Sequence, residues 1–158
     1  MANLSAPPSV VIQTITSEAE LFQALAIREV VFIEEQHVPE GIERDAEDAR
    51  AYHVLAISQG HAVGTGRLVL SPEAPPAESG TWAKIGRMAV LQAHRKAGVG
   101  SRLLQALETE ALRRACTGIV LHAQVYALEF YERHGYERVG AVFDEAGIDH
   151  VEMRKRFG

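Results

Sequence analysis

A single cysteine, Cys116, occurs in the 158 residues. No internal disulfide can form, and a reducing cytoplasm is the expected compartment. Apolar residues never run for the roughly 20 positions that a helical bilayer span requires. The opening MANLSAPPSV has neither the basic start nor the apolar stretch of a secretory signal. Basic residues are in deficit, 16 Lys and Arg against 21 Asp and Glu, for a formal net charge of −5. A nucleic-acid partner is therefore not expected. The seven histidines contain no His-x-His or His-x-x-x-His pair and Cys116 stands alone, so no metal site is expected. No internal repeat, heptad array or low-complexity tract is present.

What remains is an ordinary globule, 47% hydrophobic and 23% charged. Residues 1–9 read as a disordered lead and 10–157 as one domain, long enough for a real core. Val10 to Thr16 predicts a first strand. Ser17 with Glu20 forms a capping box, from which a helix is expected to about Glu34, breaking before Pro39 and Gly41. Strands Tyr52–Ser58 and His61–Leu70 join at Gln59-Gly60 as a hairpin. Gly64 and Gly66 inside the second mark a bulge or a close backbone approach. A proline-rich loop (71–80) leads to a third strand, Thr81–Leu91. Apolar residues at 99, 103, 104, 107, 111 and 112 predict an amphipathic helix over about Val99–Cys116. The apolar run 118–123, ending beside His122, predicts a buried strand parallel to 81–91. A short helix from Gln124 to His134 should stop at Gly135. Strands 136–143 and 148–157 then close a hairpin around Asp144-Glu145-Ala146-Gly147.

Residues 34–50 carry seven carboxylates (Glu34, Glu35, Glu40, Glu43, Asp45, Glu47, Asp48) against two arginines. A solvated loop with a short helix is the plain expectation; a mouth that attracts a cationic amine is the alternative.

The opposite charge gathers elsewhere. No Asp or Glu occurs from Ser79 to Leu107, while Lys84, Arg87, Arg95, Lys96 and Arg102 do. Within this window His94-Arg95-Lys96-Ala97-Gly98-Val99-Gly100-Ser101 links the strand to the start of the amphipathic helix. Unpaired N–H groups and the helix dipole converge there, and glycines let an anion reach them. The stretch predicts a cradle for a diphosphate. It is not a P-loop, for which the spacing is absent. Nor is it a dinucleotide fingerprint, since Leu103 stands where a third glycine or alanine belongs.

Arg95-x-x-Gly98-x-Gly100, between strand and helix, resembles the coenzyme A pyrophosphate loop of the GNAT superfamily of acyl-CoA-dependent N-acyltransferases. A second block, Ala127-x-x-Phe130-Tyr131-x-x-x-Gly135-Tyr136, resembles the one that these proteins place after the following strand. Val31 to Pro39 (VFIEEQHVP), the acidic run, Tyr52-His53, His150 and Met153 resemble one branch of small bacterial members. The resemblance implies an α/β (α+β) fold: a mixed, mostly antiparallel sheet of six or seven strands with about four helices, splayed between strands 81–91 and 118–123. It implies acetyl-CoA as cosubstrate. Backbone groups of Met88, Ala89 and Val90 would take the pantetheine arm. Arg95, Lys96, Ala97, Gly98, Val99, Gly100 and Ser101 would take the pyrophosphate, and Gln124, Ala127 and Tyr131 would line the other wall. A homodimer is the assembly that the resemblance raises.

The implied chemistry is direct attack of a primary amine on a thioester. Tyr131 is the candidate to protonate or hydrogen-bond the leaving thiolate. A phenol, at about 10, is a weaker acid than a thiol, at about 8.5, so hydrogen bonding is the easier role. Tyr136 and Tyr126 read as packed core tyrosines. The amine must also lose a proton. Members of the superfamily often carry a glutamate or histidine on the strand at 81–91, where this chain has Lys84 and Arg87. His122 and Glu35 are the candidate bases, with water as the alternative. A small molecule or a lysine-like side chain is the expected acceptor. A non-catalytic acyl-CoA-binding regulator is the contrasting reading.

Overall fold

The computed structural model describes residues 9–158; Met1–Pro8, most of the expected lead, lie outside the described residues. Among the described residues seven strands form one sheet: β1 (Val10–Thr14), β2 (Tyr52–Ser58), β3 (His61–Leu70), β4 (Trp82–Val90), β5 (Gly118–Gln124), β6 (Glu137–Glu145) and β7 (Ile148–Arg156). Their order is β1-β2-β3-β4-β5-β7-β6. Every neighbouring pair is antiparallel except β4 and β5, which run parallel. Four α-helices among the described residues accompany them: α1 (Glu18–Arg28), α2 (Glu40–Glu43), α3 (Val99–Arg113) and α4 (Leu128–Arg133). The mixed, mostly antiparallel sheet is the architecture expected. Among the described residues no helix is long and apolar enough to cross a membrane.

Local rules account for most boundaries. Ser17 caps α1 by accepting the Glu20 N–H at 3.1 Å, while the Glu20 carboxylate takes the Thr16 N–H at 3.0 Å. The helical run ends near Glu34 as expected, but not as one α-helix. From Glu29 to Glu35 it winds as a π-helix, which changes the direction of the side chains that follow it. At the other end of the chain, Gly135 adopts φ 90° and closes α4. Its N–H reaches Glu132 O at 3.0 Å and the Tyr136 N–H reaches Tyr131 O at 3.1 Å. Two boundaries differ from expectation. Gln124 completes β5 and a 3₁₀ turn (Val125–Ala127) precedes α4. The last hairpin turns on Ala146 and Gly147 alone, at φ 56° and 80°, so Glu145 belongs to β6.

Helices cover both faces. Leu103, Leu104, Leu107 and Ala111 of α3 bury against Ile85, Leu121 and Met153, as their spacing predicts. Leu112 is the exception and stays 55% exposed. On the opposite face Ala24, Ile27, Val31 and Phe32 pack on Leu55 and Ala89. Gly64 and Gly66 permit the first contact. A Cβ on Gly66 would lie 2.9 Å from Leu107 Cδ1 and 2.6 Å from Met88 Sδ, and one on Gly64 would lie 3.0 Å from Leu103 Cδ1. The expected close approach is therefore present, with a helix as the neighbour.

The feature that positions the site is a wedge. β4 and β5 pair only from Trp82↔Gly118 to Ile85↔Leu121. Beyond Ile85, β4 turns away, because Thr65↔Ala89 and Arg67↔Gly86 set three residue steps on β4 against two on β3. The extra residue is a bulge centred on Arg87, whose φ is 52°. Bulges bend the strand that carries them. β5 meanwhile stays paired with β7 through Gln124↔His150. The sheet is splayed between β4 and β5.

Candidate active site

A cleft of about 680 Å³ occupies the mouth of the wedge. Met88 of β4 lines one side; His122 and Gln124 of β5, with Ala127 and Tyr131, line the other. Five of the residues singled out from the sequence thus converge here.

Tyr131 projects from α4 and is 9% exposed. Its ring packs edge-on against Phe130 and Tyr136. Burial pushes its phenol well above the ordinary value, with a further push from Tyr126. The group is thus a firm O–H donor, and among the described residues its hydroxyl has no hydrogen-bond partner. Tyr136 is different: its hydroxyl donates to Glu108 at 2.9 Å, which makes it the packed core tyrosine expected. Tyr126 corrects its expectation, being 80% exposed at the rim of the cleft.

His122 carries an acidic neighbour that sequence reading missed. Its Nδ1 lies 2.9 Å from Glu145 Oε1. This hydrogen bond, more than any other influence, holds the Glu145 carboxyl below its usual range. An ionised carboxylate can only accept, so Nδ1 carries the hydrogen, and in the neutral ring that tautomer makes Nε2 the acceptor. Glu152 Oε1 is the nearest carboxylate to Nε2, at 4.0 Å, beyond hydrogen-bonding reach. His150 joins the group, its Nε2 3.7 Å from Glu145 Oε2 and its ring stacked on Phe143. Phe143 meets His122 edge-on. The signal that could have found Glu145 was Ala146-Gly147 as a two-residue turn. That register sets Glu145 opposite Ile148, two residues from His150 on one face.

The loop predicted to cradle a diphosphate lies beyond the end of β4. Gly98 takes φ 82° and opens α3 without a side-chain cap. A Cβ there would meet nothing within 4 Å, so the helix start is open to an approaching group. Lys96 is also left-handed, at φ 65°. Val99 is buried and Ala97 exposed, leaving Val99 only its backbone to offer. The Ser101 hydroxyl is engaged with His134 Nε2 at 2.9 Å. Arg95 donates from Nε to Val90 O at 2.8 Å and from Nη2 to Glu35 Oε2 at 2.7 Å. Glu35 is therefore an ion-pair partner of the loop and does not line the cleft. Beside it, Gln36 exchanges two side-chain hydrogen bonds with Gln124, at 2.9 and 3.2 Å. The five cations of the basic window do not act together. Arg87 turns to the acidic segment, Arg102 reaches Val10 O, and Lys84 lines the cleft.

The acidic segment contains the short helix expected, α2, and Glu34, Glu35 and Glu40 are exposed, but Glu43, Asp45 and Asp48 are engaged by arginines instead of simply solvated. Arg28 of α1, itself 1% exposed, pairs with Glu43 and with Asp48, the latter at 2.7 Å. Arg67 of β3 takes Asp45 at 2.7 Å and Asp48 at 2.8 Å. Arg87 takes Asp45 at 3.2 Å and donates to Glu43 O at 2.9 Å. Burial works against ionisation of Asp48, but hydrogen bonds from Arg28 and Arg67 override it and hold the group far below the usual range. A hydrogen bond from Arg67 likewise lowers the Asp45 carboxyl against the opposing effect of burial. These carboxylates serve the fold first, and Glu43 and Asp45 line the cleft together with Arg87.

The splayed sheet, the open helix start and the cleft between them define an acyltransferase-like architecture. An acetyltransferase (GNAT) domain model matches residues 12–157. The chain is 39% identical over 147 residues to the uncharacterized protein YyaT of Bacillus subtilis, covering 91% of this chain and 94% of the relative. It is 35% identical over 140 residues to the uncharacterized N-acetyltransferase YjcF of the same organism, with coverages of 88% and 94%. A solved structure from Lactobacillus plantarum, described as a candidate N-acetyltransferase, superposes with a TM-score of 0.80 at 30% identity, covering 94% and 98% of the two chains. The chain belongs to the GNAT acetyltransferase family.

Proposed function

We propose that this protein is an N-acetyltransferase that moves an acetyl group from acetyl-CoA to a primary amine by direct attack. The observation that carries the reading is the meeting of a hydroxyl donor with no internal partner, Tyr131, and an oriented imidazole, His122, in one cleft at the β4–β5 wedge. Three features fit coenzyme A. The β4 edge from Gly86 to Val90 has no β5 partner, α3 begins without a side-chain cap, and the space around Gly98 is open. Met88, Ala89 and Val90 would hold the pantetheine arm with their backbone groups. Arg95, Lys96, Ala97, Gly98, Val99, Gly100 and Ser101 would hold the pyrophosphate, and Gln124 and Ala127 would flank the arm.

Acetyl-CoA supplies the acyl carbon as an activated thioester. His122 Nε2 accepts the proton that the amine sheds, while Glu145 fixes the ring and balances the charge that develops on it. Tyr131 donates a hydrogen bond to the sulfur as the new carbon–nitrogen bond forms and the carbon–sulfur bond breaks. Because burial raises its pKa, the phenol keeps its proton and stabilises the departing thiolate, which leaves as the free thiol once protonated from solvent. Glu35 would have to leave Arg95 before it could serve as a base, so His122 is the better candidate.

The test is thiol release during incubation with acetyl-CoA and a panel of amines, on wild type and Tyr131→Phe. Release that requires an amine and falls in the variant supports the reading. Binding of acetyl-CoA without release for any amine returns the regulatory alternative.

A further inference from the structure

The charged groups that line the cleft divide into those already satisfied and those still available. Asp45, Arg67 and Arg87 are locked in mutual ion pairs, Glu47 lies 3.7 Å from Arg67, and Glu43 is held by Arg28 through Oε1 while its Oε2 has no hydrogen-bond partner among the described residues. Among the described residues Lys84 and Arg50 line the same cleft with no ion pair and no side-chain hydrogen bond. Lys84 sits on β4 in register with Val120, and His122 is two residues further along β5 on the same face. Two residues of strand span about 7 Å, within the reach of a lysine side chain. The Lys84 charge also helps to hold Glu145 ionised, alongside the larger influence of His122. Lys84 therefore stands next to the pole made by His122 and Glu145, and Arg50 lines the same cleft.

Resting on the acyl-transfer reading above, we propose that the acceptor is a free amino acid, a small primary amine that also carries a carboxylate. Lys84, with Arg50, holds the carboxylate while the amine faces His122. A carboxylate gives both cations the partner that the fold withholds from them. A polyamine would instead bring a second ammonium against them, a like-charge contact that selects against it. Arg28, Arg67 and Arg87 already engage Asp45, Asp48 and one oxygen of Glu43, which leaves such a polycation Glu47 and the buried Glu43 Oε2 to meet.

The experiment compares initial rates of thiol release from acetyl-CoA with free amino acids, the matching carboxamides and a linear polyamine. Wild type should favour the acids over their carboxamides by about tenfold or more in kcat/KM, the scale of one charge-assisted hydrogen bond. Lys84→Met should bring that ratio close to one, and Lys84→Arg should keep it. A general loss of folding would lower both rates and leave the ratio in place, so the ratio isolates recognition. Equal use of acids and carboxamides by wild type, preference for the polyamine, or an unchanged ratio in Lys84→Met would overturn the proposal. Transfer confined to uncharged amines or polyamines would sink it while leaving the acyl-transfer reading intact. Absence of both thiol release and thermal protection by acetyl-CoA would remove that reading, and this proposal with it.

Discussion

Arg95 holds Glu35 in a 2.7 Å ion pair that ties the loop before α3 to the end of the π-helical stretch. Both side chains are about one-third exposed, and on the proposed reading the same guanidinium would leave Glu35 to grip a diphosphate. Glu35→Gln frees it in advance. Exposed pairs are worth about 0.2–1 kcal/mol, so coenzyme A should bind up to about fivefold more tightly. Isothermal titration reads this directly. A collapse of kcat with unchanged coenzyme A affinity would instead make Glu35 the base.

Tyr131→Phe removes one hydroxyl that no neighbour among the described residues uses. The unfolding midpoint and the affinity for acetyl-CoA should therefore hardly move. Loss of a hydrogen bond to a developing charge costs about 1.5–3 kcal/mol, so kcat should fall about 10- to 100-fold. Steady-state kinetics with a saturating amine provides the measurement.

In the proposed mechanism Glu145 would act on the amine only through His122, to which it is hydrogen-bonded at 2.9 Å. Glu145→Gln leaves a side chain that can present either its amide N–H or its carbonyl to Nδ1, so the ring loses its enforced tautomer. A decrease in kcat is expected, smaller than that of His122→Ala. The double variant should be no worse than His122→Ala alone, since partners in one hydrogen-bonded unit are not additive. Additive losses would show that the two residues work separately.

Acid should weaken the fold through the arginine–carboxylate cluster. Asp45 and Asp48 have folded pKa values depressed below the unfolded value of about 3.9. Their contribution is complete above that pH and is lost as pH falls through the depressed values. Urea midpoints measured at descending pH should drop steeply below about pH 4, and Arg67→Gln should flatten that limb.

Gly66→Ala tests the packing of α3. The added methyl would lie 2.9 Å from Leu107 Cδ1 and 2.6 Å from Met88 Sδ. Overpacking of this kind costs about 1–3 kcal/mol, and Met88, which lines the cleft, must shift. Chemical denaturation should show the loss, with a rise in KM for acetyl-CoA alongside it.

What could be read along the chain was local. The α3 stripe, the Ser17–Glu20 cap, the Gly135 stop and the Arg95–Gly98–Gly100 loop each depend on residues within a few positions of one another. Tyr131 was legible for the same reason, from the block around Gly135. Glu145 was not, because it lies 23 positions from His122 and was assigned to a four-residue turn that the structure shortens to two. The acidic segment misled because its partners, Arg28, Arg67 and Arg87, sit 15 to 45 positions away from the carboxylates and carbonyls they bind.

The amino-acid order by itself determined the alternation of strands and helices and the loop that meets the start of α3, since these follow from periodicity, turn residues and backbone freedom. Only the tertiary structure decided which charges are spent and which remain. Burial turns Arg28, Arg67 and Arg87 inward onto the acidic run, whereas the bulge at Arg87 opens β4 from β5 and leaves Lys84, His122 and Tyr131 facing one cleft. Charge pairing depends on distance in space, and a linear sum of charges cannot hold that information.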